Sequence, residues 1–331
     1  MKPKGTLLIT RRDVATLLSL DECIAAVEQA FKSHAEGNSL PPGVLGIHAR
    51  DGTFHIKAAG LELALPYFAA KVNGNFFQNK QRFGMPNIQG VIALCDAENG
   101  YPLAVMDSIE ISILRTGAAT GVAAKFLARP DASVATIAGC GNQGRISLRA
   151  LAKVRRLEKV FAFDIDHEQA LRYAEELTSE LSIAVTAVRD FSEVVSESDI
   201  CVTCTPSNQP YLNRSDVMPG AFIAAVGADN EEKQELDPHL LAASKVVVDS
   251  LDQCSAIGDL KLALKQRLMT KADVHAELGE VIAGRKPGRE SREEVIVFDS
   301  TGTALQDVAA AAIVYEKAVA ADCGIVLDFA E

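Results

Sequence analysis

The first strong hydrophobic pattern along the chain is helical. Ile24, Val27 and Phe31 recur at spacings of three and four behind a Ser19/Glu22 capping box, which predicts an amphipathic helix as the first element, ending near Gly37 and Asn38. From Gly43 to Met106 the pattern changes to short, partly alternating segments: GVLGIHA, TFHIKAA, YFAAKVN, QGVIALCD and PLAVMD. Asp-Gly, Asn-Gly and Pro signals part them, so a mainly antiparallel sheet is predicted. In TFHIKAAG, His55 and Lys57 stand two positions apart, and the two-residue period of a strand puts both on one face. A helical run, IEISILRTGAATGVAAKFLA, follows Asp107 and stops at Arg129 and Pro130.

Beyond Ser133 apolar strands alternate with helices. SVATIAG, a helix from Arg145 to Val154, KVFAFD, a helix from Asp166 to Leu181, IAVTAV, DICVTCT, AFIAAVG, KVVVDS and VIVFDS give the βα rhythm of a doubly wound parallel sheet. A last helix, Thr303 to Ala321, is apolar and alanine-rich and is expected to pack back on the N-terminal domain.

Composition narrows the function. A chain of 331 residues with 48% hydrophobic and 23% charged residues is globular and long enough for two domains. A formal net charge of -11 argues against nucleic acid as a partner. The chain lacks the roughly 18 consecutive apolar residues of a membrane span, and the apolar stretch in MKPKGTLLIT is short for a signal peptide, so a cytoplasmic location is expected. Seven scattered cysteines do not form a disulfide framework. Cys201 and Cys204 lie within a strand without a second pair or a histidine nearby, so no metal site is expected.

The strand SVATIAG runs into GCGNQG, residues 139 to 144, with a helix immediately after. Gly139 suits the tight turn, Gly141 lets a pyrophosphate approach the backbone, and Gly144 lets the helix pack on the strand; Asn142 and Gln143 begin the anion-binding helix end. Asp164, ending the next strand, is positioned to accept ribose hydroxyls. Ile165 and Asp166 follow it with no adjacent cation for a 2′-phosphate, which favours NAD(H) over NADP(H).

KVNGN (71 to 75), ENGYPLAVMD, LRTGAATGVAAKFLA, GCGNQG, AVGADNEEKQEL and FDSTGTALQD occur in this order over almost the whole chain. Together they resemble the ornithine cyclodeaminase and μ-crystallin family. The resemblance implies an α/β protein with a Rossmann NAD-binding domain, residues 120–303, and an α+β substrate-binding and dimerisation domain, residues 1–119 with 304–331. It also implies a homodimer, and an amino- or imino-acid substrate that exchanges hydride with the nicotinamide.

By the same resemblance, Arg115 binds the substrate α-carboxylate and also counts among the cofactor-contacting residues, and Thr116 meets cofactor phosphate. A guanidinium is the natural bidentate partner of a carboxylate. Lys71, after alternating apolar residues, is expected to be desolvated, and so able to bind the carboxylate or exchange a proton with substrate nitrogen. Asp229 lies at the carboxyl edge of the predicted sheet, where it can move the nitrogen proton. Asn87, Thr205, Ser207, Val226, Gly227 and Ser300 match cofactor-contacting stretches.

The chain also departs from the ornithine pattern. His55 stands near a glutamate of the ornithine enzymes, and Lys57 where they have methionine. Arg115, Lys71, Lys57 and His55 against the single acid Asp229 suit a substrate with a second carboxylate. The expected activity is therefore NAD(H)-dependent reduction of a small 2-imino acid, with iminosuccinate among the substrates. The alternatives are ammonia-releasing cyclisation of ornithine with catalytic NAD, and a μ-crystallin-like ligand-binding protein.

Overall fold

A computed structural model of the chain describes residues 5–328. The chain divides into two compact units: one runs through Arg115 and resumes at Thr303, and the other spans Thr116–Gly302.

The first unit is built on a seven-stranded sheet. Its order is Ile325–Leu327, Thr6–Ile9, Pro102–Asp107, Ile88–Asp96, Pro66–Asn75, Gly52–Glu62, Ser39–Ala49. All neighbours are antiparallel except Thr6–Ile9 with Pro102–Asp107. The predicted capped helix is present as Leu20–Ala35, with Ser19 and Glu22 completing the capping box. It is not the first element, however: the strand Thr6–Ile9 and the helix Arg11–Leu17 precede it. The run TLLI is too short to carry a period, and its fate is decided by burial between two strands distant in sequence, where Leu7 and Ile9 are covered. The edge strand also starts earlier than expected, at Ser39. Pro41 and Pro42 are accommodated by a register shift between Leu40 and Gly43, the kind of site an edge allows.

The two faces of this sheet differ. In one row, Val44, Lys57, Lys71 and Ile92 lie opposite one another across four strands; in the next, Leu45, Ile56, Val72 and Val91 do so on the other face. The helix Ala304–Ala320 covers the first face, as expected of the alanine-rich C-terminal helix. The Tyr67 hydroxyl donates to Glu316 Oε1 at 2.9 Å, and Lys317 Nζ donates to Glu22 on the capped helix at 2.9 Å. The second face leaves Leu45, Ile47, Phe54, Val72 and Val91 exposed.

The second unit carries an eight-stranded sheet in which every pairing is parallel. Its order is Ala276–Glu277, Lys245–Val248, Ile296–Asp299, Phe222–Ala225, Ile200–Thr203, Val134–Ala138, Lys159–Phe163, Ala184–Val188. Central strands such as Ile200–Thr203 and Phe222–Ala225 are buried at every residue, as a sheet covered on both faces requires. The helix predicted from Arg145 begins three residues earlier, at Asn142, with Gly141 as its N-cap, because the end of the glycine loop is already helical.

Two glycines in that loop have different reasons to lack a side chain. A Cβ on Gly144 would lie 2.1 Å from the Gly139 carbonyl oxygen, whereas a Cβ on Gly141 would meet nothing within 4 Å. Gly144→Ala is therefore expected to cost about 1–3 kcal/mol through overpacking, read as a lowered thermal midpoint. Gly141→Ala should leave that midpoint unchanged.

Candidate functional site

Within the first unit, three elements bring charge to one buried place. The strands Gly52–Glu62 and Pro66–Asn75 set Lys57 directly opposite Lys71, at 7% and 3% exposure. Two positions along the same face, His55 is opposite Asn73 and is partly buried. The helix Ile109–Leu127 contributes Ser112 and Arg115, three residues apart and so on one helical face. The helix Ala304–Ala320 contributes Gln306 and Asp307 from its first turns, both buried.

Asp307 joins these groups. Lys71 Nζ donates to Asp307 Oδ1 at 2.8 Å and lies 2.7 Å from Oδ2, and it also donates to Ser112 Oγ at 3.3 Å. Arg115 Nε lies 3.3 Å from Asp307 Oδ1, while its NH1 donates to Gln306 Oε1 at 3.1 Å. Burial pulls the Lys71 ammonium down to about 7; Asp307 opposes that fall, and the charges of Arg115 and Lys57 add to it. Burial pushes the Asp307 carboxyl up, but Lys71 and Arg115 outweigh it, so Asp307 is held below the usual carboxylate range.

Asp307 corrects the charge balance read from sequence, which set the cations against Asp229 alone. Lys71 and Arg115 already share a carboxylate within their own unit. Sequence reasoning passed over Asp307 and Gln306, although two adjacent polar residues in an otherwise apolar, alanine-rich first turn were a usable signal.

In the second unit, the parallel sheet gathers the remaining predicted residues. Val134–Ala138, Ile200–Thr203, Phe222–Ala225 and Ile296–Asp299 are consecutive neighbours. Their carboxyl ends lead into Gly139 to Gly144, Thr205 and Ser207, Val226 to Asp229, and Ser300, the edge where doubly wound folds bind ligands. Gly139 has φ +103°, in the left-handed region that favours glycine. No side chain caps the helix at Gly141, so the amides of Asn142, Gln143 and Gly144 are left to an external acceptor, and the Gln143 side-chain oxygen is buried without a partner. The open space where a Gly141 Cβ would lie completes a cradle suited to a dinucleotide pyrophosphate.

Asp164 ends its strand as expected, but three donors already reach it. The Cys140 amide and Gln169 Nε2 donate to Oδ2 at 2.8 and 2.9 Å, and the Asp166 amide donates to Oδ1 at 3.0 Å. About one of its four acceptor positions is left for a ribose hydroxyl, rather than two. Ile165 beside it is 99% exposed, and Arg172 lies 3.7 Å from Asp166.

Other predicted residues serve the protein's own loops. The Ser300 hydroxyl donates to Asp249 Oδ2 at 2.8 Å, and the Thr205 hydroxyl donates to Glu235 Oε1 at 2.7 Å. Ser207 Oγ donates to the Gln209 carbonyl at 2.7 Å. Asp229 Oδ1 accepts from Lys233 Nζ at 2.7 Å, an ion pair that sequence reading did not foresee. Thr116 is buried and precedes Gly117, where a Cβ would lie 2.6 Å from Ile146 Cγ1. Asn87 belongs to the first unit, where its Oδ1 accepts from the Lys80 amide at 3.1 Å. Among the described residues no cluster of histidine, cysteine and acids could hold a metal, and no helix is long and apolar enough to cross a membrane.

A parallel sheet with a bare glycine-loop helix end, in one chain with a buried cluster of cations around an acid, defines an α/β protein of the dehydrogenase class. The chain belongs to the ornithine cyclodeaminase/mu-crystallin family, whose model matches residues 4–322. It is 38% identical to an archaeal alanine dehydrogenase dimer solved with bound NAD, with a TM-score of 0.94, covering 98% of this chain and 99% of that one. The Δ1-pyrroline-2-carboxylate reductase of Thermococcus litoralis, solved with NADH and L-proline, is 34% identical with a TM-score of 0.92, covering 97% of this chain and 100% of that one. The iminosuccinate reductase of Paracoccus denitrificans, solved with NAD+, is 31% identical with a TM-score of 0.91, covering 98% and 100%.

Asp307→Asn should lower the pH at which Lys71 loses its proton to below about 7, because the attraction opposing burial is removed. NMR titration of the Lys71 side chain measures the midpoint. An unchanged midpoint would show that Asp307 does not hold the proton on Lys71.

Proposed function

We propose that the protein is an NAD(H)-dependent reductase of small 2-imino acids, with dicarboxylates such as iminosuccinate among its preferred substrates. The observation that carries this reading is the buried set of Lys57, Lys71 and Arg115, of which Lys71 and Arg115 reach the carboxylate of Asp307. Like charges opposite each other on a sheet repel, and out of water they call for counter-charge. Three cations gathered in one buried place suit a substrate that brings more than one carboxylate. The three relatives above, each similar to this chain over nearly its whole length, support reduction of a C=N bond or its reverse.

Gly139, Gly141, Asn142, Gln143, Gly144 and Asp164 hold the dinucleotide in this reading, with Thr116, Asn87, Thr205, Ser207, Val226, Gly227 and Ser300 as further cofactor residues. When bound, NADH supplies the hydride that reduces the imine carbon. Arg115 and Lys71 orient the α-carboxylate, and Lys57 with His55 receives the second. Lys71 gives up or takes a proton near neutrality. Asp229 exchanges the proton of the substrate nitrogen, and Lys233 Nζ, which donates to its Oδ1 at 2.7 Å, orients its carboxylate. We also propose a homodimer, closed over the exposed apolar sheet face of Leu45, Ile47, Phe54, Val72 and Val91. The dimeric alanine dehydrogenase supports this, and sedimentation of a Val72→Glu variant as monomer would test it.

The substrate reading is tested by NADH oxidation with oxaloacetate plus ammonia, pyruvate plus ammonia, and Δ1-pyrroline-2-carboxylate. Lys57→Ala is expected to lower kcat/KM for the dicarboxylate about 10- to 100-fold, the worth of a charge-assisted hydrogen bond, and to change the monocarboxylates by no more than about threefold. Equal effects on both classes would overturn the dicarboxylate assignment. Ammonia release from ornithine with catalytic NAD and no net NADH change would replace reduction by cyclisation.

A further inference from the structure

We infer that Glu235 is a positioning residue, which ties the loop after the strand Ile200–Thr203 to the loop after the strand Phe222–Ala225 and thereby sets the seat of the nicotinamide end of the cofactor. The inference rests on the NAD(H) reading above and concerns a residue outside the sequence-derived site.

Glu235 is fully buried and its two oxygens face different loops. Oε1 accepts from the Thr205 amide at 2.7 Å, the Thr205 hydroxyl at 2.7 Å and the Tyr211 hydroxyl at 2.9 Å. Oε2 accepts from the Gly227 amide at 3.0 Å. The approach to the second loop is so close that a Cβ on Gly227 would lie 2.2 Å from Oε2. Gly227 is two residues from Asp229, and Thr205 two from Ser207, so one carboxylate holds the roots of both stretches.

Behind Glu235 the tie is continued by other buried acids. Asp259 Oδ1 accepts from the amides of Glu235 and Leu236 at 2.7 and 2.8 Å and from Gln234 Nε2 at 3.0 Å. Asp299 in turn accepts from the amides of Asp259 and Leu260 at 3.2 and 2.9 Å. Asp249 Oδ2 accepts from the Ser300 hydroxyl and from the Gly302 amide at 2.7 Å. Loops from three adjacent strands are thus anchored on carboxylates reached by N–H and O–H donors.

The four donors around Glu235 fit an ionised carboxylate, which only accepts. Protonation would replace one acceptor by a donor facing donors. The groups acting on it are Asp259 behind it, the Tyr211 hydroxyl and the Thr205 hydroxyl and amide in front, and Cys201 and Cys204 on the neighbouring strand and loop. Lys261 and Asp299 act on Asp259. Burial and then the charge of Asp259 push the Glu235 carboxyl up to about 7, against the hydrogen bonds from Thr205 and Tyr211, so the tie titrates near neutrality. It is intact above that pH and loosened below it.

The test is NADH fluorescence titration of the full-length protein from pH 6 to pH 8.5, with wild type, Glu235→Gln and Glu235→Asp, alongside amide exchange at Thr205 and Gly227 without cofactor. Wild type should bind NADH about tenfold more weakly at pH 6 than at pH 8, with a midpoint near neutrality, as expected for one group titrating there. Glu235→Gln, whose amide nitrogen must face the Gly227 or the Thr205 donors, should bind about tenfold more weakly at pH 8 with a flat profile, and exchange both amides faster. Glu235→Asp, which keeps the charge, should recover part of the affinity and the pH dependence. Wild-type affinity in Glu235→Gln, or a lowered thermal midpoint with an unchanged Kd profile, would overturn the inference. Absence of NADH binding by wild type at every pH would overturn the cofactor reading instead. The tie between the loops would then stand if Glu235→Gln speeds exchange at Thr205 and Gly227, and fall if it does not.

Discussion

Lys71 lies 2.7 Å from Asp307 at 3% exposure, and much of the first unit is arranged to make that pairing possible. An ammonium taken out of water is tolerated only with a partner, and removing one member of a buried pair typically costs about 3–5 kcal/mol. The partner here is 236 positions away in sequence. The C-terminal helix must therefore return to the N-terminal sheet, and the helix Ile109–Leu127 must present Arg115 and Ser112 at the same place. The pairing thus closes the first unit across the interruption between Arg115 and Thr303, which the second unit fills.

The second unit meets the same requirement mainly with backbone donors, Lys261 adding its charge beside Asp259. Glu235, Asp249, Asp259 and Asp299 are buried, and their partners are mostly backbone amides of the loops that leave the parallel sheet. Such amides have left the strand ladder and need acceptors, while the carboxylates need donors. Each deficiency satisfies the other. The loops that carry Thr205, Gly227 and Ser300 at the carboxyl edge are consequently fixed by the protein's own carboxylates.

Much of this could be read from residues in order. Period-2 and period-3.6 patterns found the antiparallel sheet, the capped helix at Ser19 and the βα rhythm, because in each case the signal lies within one element. What escaped reading depends on partners far along the chain. The strand Thr6–Ile9 is defined by its neighbours Pro102–Asp107 and Ile325–Leu327, and a run of four residues carries no period of its own. His55 and Lys57 were visible as a pair on one face, and the register adds that Lys57 meets Lys71. Asp307 and Glu235 were present in quoted motifs; the apolar turn around Asp307 was a local sign of burial, whereas nothing local marks Glu235, in the polar run NEEKQE, as an acid that will be buried. Only the fold determines which acid loses its water.

That distinction gives the two units opposite responses to pH. Burial brings Lys71 down from 10.5 and Glu235 up from 4.5, and both arrive at about 7. As pH rises through neutrality the first unit gives up a positive charge while the second unit gains a negative one. Below that point Lys71 is most able to attract a carboxylate, but the acceptor linking Thr205 and Gly227 is protonated; above it the loops are tied and the attraction is weaker. In the proposed reading, where the reaction needs both groups, activity is greatest around neutrality, with Glu235 opposing it on the acid side and Lys71 on the alkaline side. The same burial that makes each group useful sets the limit on when both can act together.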